Sequence, residues 1–492
     1  MRQTHLHPVG RLCLILASVL ACAAAPARPS RAEDLPVNHA WSRVTPSVVW
    51  CGDPSSTVTI EVHIVGRDDV TAVEVTNGGE EDRITLYDDG THGDVVAGDQ
   101  VHTAAGVRLA CDPTRLRYDR AVGTWVGSLR VRLKDGRELA RSGGVTAGLV
   151  DGRFKGAFRV QDFGEGLSAT AYAFFIDDRR HEVIDSYPVA QVACGNTSLA
   201  AYHKLYSVLP DAFDLIAVTP GLPLYYPGGL GENPPYLVGV SNSVRRIGLP
   251  LADDTARFGS AGRLKAMIYH PFGHLDHFDH ELAHTWGVGL GATLGLIAEG
   301  SPGRHHWSAE ADIGGQLSIY YTADSRMGRL AHNGDGTWRL IPPEESERLP
   351  YAPLELYAMG LLEAEAVPPV HIVYQPNLAD PQRITSDWVR TVPMSRILEA
   401  EGGPRVPAAG QSQRTFNLAY VVTHDGPYDG AAYAFFSLLA RALMRQGPPE
   451  PGDGYAPFHW ATGGRAALNT RLPLALPEPL LWRANLPAVG AG

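Results

Sequence analysis

The sequence has few of the features that mark a nucleic-acid-binding or membrane-spanning protein. Basic residues are outnumbered, with 42 Lys and Arg against 53 Asp and Glu, and the formal net charge is -11. Nucleic-acid binding depends on clustered Lys and Arg, so this composition excludes a nucleic-acid partner. After the N-terminus the chain also lacks an apolar run of about 18 residues, the length that a membrane-spanning helix needs. We therefore expect no transmembrane segment after the N-terminal region.

Cysteine is also scarce, with five residues in a chain of 492. Cys13 and Cys22 lie in the apolar N-terminal segment, which leaves Cys51, Cys111 and Cys194 for the mature protein. None of these three has a partner at the short spacing that thiolate metal sites use, which argues against a metal role for cysteine. Cys51 and Cys111 flank one predicted domain, and we expect them to form a disulfide. Cys194 is then the odd thiol.

Residues 1–32 have the composition of an export signal followed by a leader. Two arginines precede an apolar run over residues 12–25, and small residues that suit cleavage follow. Residues 19–22 (Val-Leu-Ala-Cys) partly resemble the cleavage box of bacterial lipoproteins. Ordinary secretion is the favoured prediction, and a lipid anchor at Cys22 is the alternative. Both predict a secreted or cell-envelope protein, in which disulfides can form.

The length predicts a multidomain fold, because a single hydrophobic core seldom grows beyond about 300 residues. Residues 40–148 hold short β-branched stretches separated by Gly and Asp turns, which predict an immunoglobulin-like all-β sandwich. Strand and helix patterns alternate over residues 150–375, which predicts an α/β or α+β domain. Residues 376–492 are predicted to form a C-terminal subdomain, or the lower half of the preceding domain. Their proline-rich end, residues 472–487, is predicted as an extended tail.

An acidic loop lies inside the predicted sandwich. Residues 86–99 contain Asp88, Asp89, Asp94 and Asp99 between glycines, and the pattern closely resembles a loop of β-sandwich modules in many bacterial exported proteins. The four carboxylates offer enough oxygen ligands for a Ca²⁺ ion. The alternative is that the same side chains accept hydrogen bonds from nearby N–H groups and form a tight turn. The sequence is equally compatible with both.

The strongest chemical signal is the run His-Glu-Leu-Ala-His at residues 280–284. On a helix, two histidines four positions apart project from one face and can share a metal ion. Glu281 can then reach a water on that metal without being a ligand itself. An apolar stretch over residues 264–269 predicts a buried strand, followed by a break and a new helix. The sequence therefore predicts a strand–helix unit that carries a site for metal-assisted hydrolysis.

This motif, together with Gly287 that follows it, resembles the zincin metallopeptidases. The resemblance covers the motif and its immediate setting. It implies a mixed sheet above the active-site helix and a cleft for an extended protein or peptide substrate. It also implies that His280 and His284 bind Zn²⁺ and that Glu281 is the general base for the zinc-bound water.

The third zinc ligand departs from the best-known branch of the zincins. Metzincins place a histidine three residues after the glycine, where this chain has Leu290. A catalytic zinc ion prefers three protein ligands and an open fourth position. The adjacent His305 and His306 lie in a predicted loop that can supply a neutral imidazole, and His306 is the favoured third ligand. His305 is the next choice, followed by Glu299 or Glu310, because the gluzincin branch uses a glutamate from a later helix.

These features together predict an exported, zinc-dependent endopeptidase that acts on protein or peptide. Two alternatives stay open. The chain could be a surface-binding or adhesive protein whose zincin-like domain no longer cleaves, or a metal-dependent hydrolase of non-peptide bonds. The intact Glu281 favours an active enzyme, because a site that no longer cleaves would be free to lose its base.

Overall fold

The structure is a computed structural model, and it describes residues 39–77, 82–179, 199–221, 235–271, 273–287, 289–298, 306–318, 329–341, 350–374, 380–424, 426–450 and 454–479. These residues form a mixed α+β fold with several sheets. The predicted export signal and leader, including Cys22, lie outside the described residues, and so do Cys194, Glu299 and His305.

Two sheets make up the N-terminal part of the fold. Their strands are β1 (His39–Thr45), β2 (Val48–Cys51), β3 (Val58–Ile64), β4 (Val70–Thr76), β5 (Ile84–Leu86), β6 (Val101–Val107), β7 (Val122–Leu133) and β8 (Glu138–Asp151). One sheet has the strand order β1-β3-β6 and the other β2-β8-β7-β4-β5. The pairings are antiparallel except that of β2 with β8, which is parallel. We call these two sheets the N-terminal sheet pair.

The N-terminal sheet pair encloses one hydrophobic core. In β3 the alternate residues Val58, Ile60, Val62 and Ile64 are buried, as the two-residue period of a strand requires. They belong to the same cluster as Trp125 of β7, in the other sheet. The two sheets therefore bury their inner faces against each other.

A disulfide joins Cys51, at the end of β2, to Cys111, in the segment that follows β6. It connects the two cysteines whose pairing the sequence predicts. The bond spans 60 positions of the sequence, and Cys51 lies in the core of the N-terminal sheet pair. Its main effect is to restrict the unfolded chain.

We predict that the double variant Cys51→Ser, Cys111→Ser is less stable than the wild type. Closing a loop of this length removes chain entropy equivalent to about 4 kcal/mol from the unfolded state. We expect the thermal unfolding midpoint, followed by circular dichroism, to fall by about 5 °C or more. Val95→Ser, at a side chain that is 90% exposed, serves as the control and should leave the midpoint unchanged. An unchanged midpoint in the double variant would contradict the prediction.

The remaining part of the fold contains shorter strands and six described helices. The strands are β9 (Gln161–Gly164), β10 (Leu167–Ala169), β11 (Ala173–Asp177), β12 (Leu215–Pro220), β13 (Tyr236–Gly239), β14 (Ser241–Asn242), β15 (Ala252–Asp253), β16 (Ala266–Tyr269), β17 (Arg329–His332), β18 (Thr337–Ile341), β19 (Val370–Val373), β20 (Ile384–Thr385), β21 (Val389–Val392), β22 (Thr415–His424) and β23 (Ala467–Asn469). The α-helices are α1 (Leu199–Val208), α2 (Phe278–Ala283), α3 (Pro353–Met359), α4 (Met394–Ala400), α5 (Gly430–Ala442) and α6 (Phe458–Ala461).

The largest sheet has eight strands in the order β13-β16-β12-β22-β11-β10-β9, with β23 beside β22. Its centre is parallel, since β12 pairs in parallel with both β16 and β22, and β22 pairs in parallel with β11. β13 lies at one edge and runs antiparallel to β16. The sheet is therefore mixed, and the strand that leads to the His-Glu motif is next to its edge.

Alternation along the central strands directs neighbouring side chains into two different cores. In β12, Leu215 and Ala217 belong to one cluster, whereas Ile216 and Val218 belong to the other. The first cluster also contains apolar residues of α2, α3, α5 and α6, and the second contains those of α1. Helices therefore cover both faces of the sheet, as a largely parallel sheet requires.

β22 lies after the domain boundary predicted at 375/376 but belongs to a sheet whose other main strands lie before that boundary. The strand lies between β12 and β11, so the C-terminal segment fills the centre of the same sheet, which favours the alternative that it is part of the preceding domain. The described part of the predicted tail is also packed rather than extended into solvent. Leu472 is 2% exposed, and Glu478 contacts both Arg471 and Tyr172.

The N-terminal sheet pair also packs against the rest of the fold. β2 and β8 contact α5, and Val48, Val122 and Val150 belong to the same core as Phe435 of that helix. The apolar core on this side of the large sheet therefore extends into the N-terminal part of the chain.

Polar contacts extend this interface to the loop that precedes α2. The Arg117 guanidinium donates two hydrogen bonds to the Asp276 carboxylate, at 2.5 and 3.1 Å. The main-chain N–H of Leu275 donates to the Tyr118 hydroxyl at 2.7 Å. Residues of the connection between β6 and β7 thus fix the chain directly before the motif helix.

Candidate metal centre

The faces of the short helix α2 differ in character. Phe278 and Leu282 pack into the core beneath the large sheet, and His280 and His284 project from the other side because they are four positions apart. His280 and Glu281 are 8% and 7% exposed. The strand–helix unit expected from the sequence is present, with β16 leading through a loop into α2.

Three imidazoles converge at this helix. The Nε2 atom of His280 lies 3.3 Å from Nε2 of His284 and 3.1 Å from Nε2 of His306. The ring of His306 is nearly parallel to that of His280, at 19°, whereas the ring of His284 is almost perpendicular to both. All three residues offer a nitrogen within one small cluster, so they form a candidate metal site.

The spacing of the nitrogens fits a tetrahedral zinc ion. A Zn–N bond of about 2.0–2.1 Å places two tetrahedral ligand nitrogens roughly 3.3 Å apart. The observed separations of 3.1 and 3.3 Å agree with that value. Three histidines are also a ligand set of catalytic zinc, which keeps its fourth position for water or substrate. His280, His284 and His306 could therefore hold Zn²⁺.

His280 has the protonation state that a metal ligand needs. Its Nδ1 lies 2.6 Å from the carbonyl oxygen of Gln316, so Nδ1 carries the proton and donates it. Nε2 is then left with its lone pair, directed towards His284 and His306. Burial lowers the pKa of His280 to about 4, with a further contribution from nearby His306. The imidazole is therefore neutral near pH 7.

Glu281 is an unusual carboxyl group. Burial raises its pKa to about 8, and none of the described residues donates a hydrogen bond to its carboxylate. A cation bound by the adjacent histidine would favour the charged form and bring this pKa down again. The charge of this side chain therefore depends on whether a cation occupies the site.

Several residues that support the cluster could not be anticipated from the motif. The side-chain amide of Gln316 donates to the Asp279 carboxylate at 2.9 Å, and the Tyr351 hydroxyl donates to the Asp279 carbonyl at 2.9 Å. Burial raises the pKa of Asp279 to about 7. The main-chain N–H of Gln316 donates to the buried carboxylate of Glu355. In the sequence, the position of Asp279 next to His280 indicates a link to the site. Nothing in the sequence indicates that Gln316 or Glu355 belongs to it.

The other candidates for the third ligand differ from His306. Glu310 is exposed and lies outside the histidine cluster. Glu299 and His305 lie outside the described residues. Within the described part of the chain, His306 is therefore the candidate that joins His280 and His284.

The acidic loop brings three of its four predicted calcium ligands together. Asp88, Asp94 and Asp99 offer carboxylate oxygens within one cluster, and Asp89 does not join them. The Asp88 carboxylate accepts hydrogen bonds from the main-chain N–H groups of residues 98–100. Asp89 accepts from the backbone and hydroxyl groups of a nearby threonine. These contacts are those of the tight-turn alternative, and calcium binding stays a prediction.

Comparison of the chain with protein-family models, with curated proteins and with solved structures found no match. Among the described helices, none has the length and apolar character needed to cross a membrane. The function therefore has to be inferred from the chemistry of the histidine cluster.

We predict that His306→Ala weakens zinc binding and that Glu310→Ala does not. Loss of a ligand should reduce affinity by more than the roughly 10–100-fold that loss of a supporting partner costs. Zinc affinity can be measured by competition with a chromophoric chelator, with circular dichroism as the test of folding. Equal affinity in His306→Ala and the wild type would show that another residue is the third ligand.

Proposed function

We propose that the protein is a zinc-dependent endopeptidase of the zincin type. The observation that carries this proposal is the convergence of His280, His284 and His306 on the helix that also bears the buried Glu281. Three imidazoles with a neighbouring carboxylate are the minimal apparatus for metal-assisted hydrolysis.

The groups of the site have separate roles in peptide hydrolysis. A zinc ion in this site supplies Lewis acidity, which lowers the pKa of water towards neutrality and polarises a substrate carbonyl. Glu281 accepts a proton from the attacking water on a carboxylate oxygen and then delivers it to the nitrogen of the leaving amine. His280 keeps its Nε2 lone pair available because Nδ1–H donates to Gln316.

The mixed sheet supports a peptide as substrate. β13 is the edge strand among the described strands, runs antiparallel to β16 and contacts α2. Its residues are partly exposed. An extended peptide that pairs with a sheet edge gains main-chain hydrogen bonds without depending on its side chains. This position next to α2 favours a peptide over a small non-peptide substrate.

We further infer that the N-terminal sheet pair is an immunoglobulin-like β-sandwich and that the protein is exported. Two sheets around one core, with successive strands β1 and β2 placed in different sheets, agree with that architecture. The Cys51–Cys111 disulfide supports an oxidising compartment outside the cytosol.

We predict that Glu281→Gln keeps its zinc and loses its peptidase activity. The amide has the size of the carboxyl group but cannot accept the proton, so hydrolysis of casein should slow by about 10²–10⁴-fold. Zinc content is measured on the same samples by elemental analysis. Glu310→Gln, which changes an exposed glutamate outside the cluster, is the matched control and should retain activity.

The possible outcomes separate the three functional hypotheses. Zinc in the wild type without cleavage of casein would favour a binding protein or a hydrolase of other bonds. Equal casein hydrolysis by the wild type and Glu281→Gln would exclude the glutamate as general base. Absence of zinc from both proteins, after exposure to excess zinc, would exclude the metal mechanism.

A further inference from the structure

The segment 306–318 contributes two separate parts of the candidate metal centre. It begins with His306, one of the three converging imidazoles, and near its end the Gln316 carbonyl accepts the hydrogen bond from His280. The segment contains no α-helix or named strand, and isolated bridges pair it with its neighbours. Trp307 and Leu317 are buried in the core, and individual hydrogen bonds hold the backbone around them.

Three hydrogen bonds of the segment lead to one carboxylate, that of Glu355. This residue lies in the first turn of α3 and is 2% exposed. One oxygen, Oε1, accepts from the indole N–H of Trp307 at 3.1 Å and from the main-chain N–H of Leu317 at 2.7 Å. The other, Oε2, accepts from the main-chain N–H groups of Gln316 at 3.1 Å and Ala352 at 2.8 Å.

Three of the four donors belong to the segment 306–318, and they lie at both of its ends. Trp307 follows the ligand His306 directly, and Gln316 is the residue whose carbonyl orients His280. The fourth donor, Ala352, is the ordinary partner of a glutamate at the start of a helix. A residue that only capped α3 would need that fourth hydrogen bond alone.

The close approach of the segment to Glu355 is built into the sequence. Gly315 has φ 81°, in the left-handed region that favours glycine. A Cβ at this position would collide with the Glu355 carboxylate and with Ala352. The glycine therefore allows the N–H groups of Gln316 and Leu317 to reach the carboxylate.

We propose that Glu355 is a positioning residue of the metal centre, which holds His306 and the acceptor of His280 in one arrangement. The proposal rests on the proposed zinc site and adds to it a residue that does not touch the metal. A buried carboxylate is costly unless its oxygens are hydrogen-bonded, and here each oxygen has two donors. A second contact, from the Gln316 side chain to Asp279, ties the same segment to α2.

Glu355→Gln is a suitable test because it changes little besides the charge and one acceptor. In either orientation of the amide, an NH₂ group replaces an oxygen that now accepts two hydrogen bonds. Trp307 and Leu317 lose their acceptor in one orientation, and Gln316 and Ala352 lose it in the other. Both orientations therefore release at least one N–H of the segment.

The experiment compares zinc affinity and the Co²⁺ absorption spectrum in the wild type, Glu355→Gln and Asp214→Asn. We expect Glu355→Gln to bind zinc about 10-fold or more weakly and to show a changed Co²⁺ ligand-field spectrum. Asp214 is the matched control. It is also a buried carboxylate that accepts a main-chain hydrogen bond, from Asn417, but it lies at the opposite end of the strands from α2. Its variant should bind both metals as the wild type does.

The outcomes distinguish this proposal from the proposed function. If Glu355→Gln unfolds at a lower temperature but keeps wild-type zinc affinity and Co²⁺ spectrum, Glu355 only stabilises the fold and the proposal is wrong. A wild type that binds no zinc would instead refute the proposed metal site and, with it, this role.

If Glu355→Gln does not fold, the variant Trp307→Phe tests the role of Glu355 instead. It removes one donor and leaves the carboxylate in place, and it should bind zinc severalfold more weakly. Wild-type affinity in that variant would overturn the proposal.

Discussion

The convergence of three imidazole nitrogens is the constraint on which the rest of the site depends. At separations of 3.1 and 3.3 Å, nitrogen lone pairs repel one another unless a proton or a cation lies between them. The rings are held by two elements. α2 packs its apolar face against the large sheet, whereas the segment with His306 is held both by the buried side chains of Trp307 and Leu317 and by hydrogen bonds to Glu355. The polar contacts of this segment fix the carbonyl that accepts from His280 and the residue next to His306.

The buried carboxyl groups around the site have different roles. Burial raises the pKa of Asp279 and Glu355 to about 7 and that of Glu281 to about 8. Asp279 and Glu355 accept several hydrogen bonds, which stabilise their charged forms. Glu281 accepts none from the described residues, so its charge depends on a cation and on water. Asp279 and Glu355 are thus suited to stabilising the local structure, and Glu281 is suited to transferring a proton.

Features of the fold and site that depend on residues close together in the sequence could be predicted, and those that depend on distant residues could not. The strand before α2, the helix itself and the face that carries His280 and His284 depend on local periodicity, and the sequence pattern predicts them. His306 could be proposed because an imidazole in a predicted loop is by itself a suitable zinc ligand. Glu355 could not, because its role depends on Gln316, 39 positions away, and a glutamate at a helix start is ordinarily a cap. The sequence left open whether the residues after 375 form a subdomain or part of the preceding domain for the same reason, since β22 joins the sheet through long-range pairing that leaves no local pattern.

The N-terminal sheet pair has to be considered part of the same structural unit as the metal centre. Val48, Val122 and Val150 lie in the core that also contains α5, so separating the two parts would expose apolar surface at a cost of about 25 cal/mol per Å². Arg117 and Tyr118 bind the loop from which α2 begins. The position of His280 is therefore set from two directions, by the Gln316 carbonyl on one side and by the anchored loop on the other. A module that only tethered the protein to a surface would need neither contact.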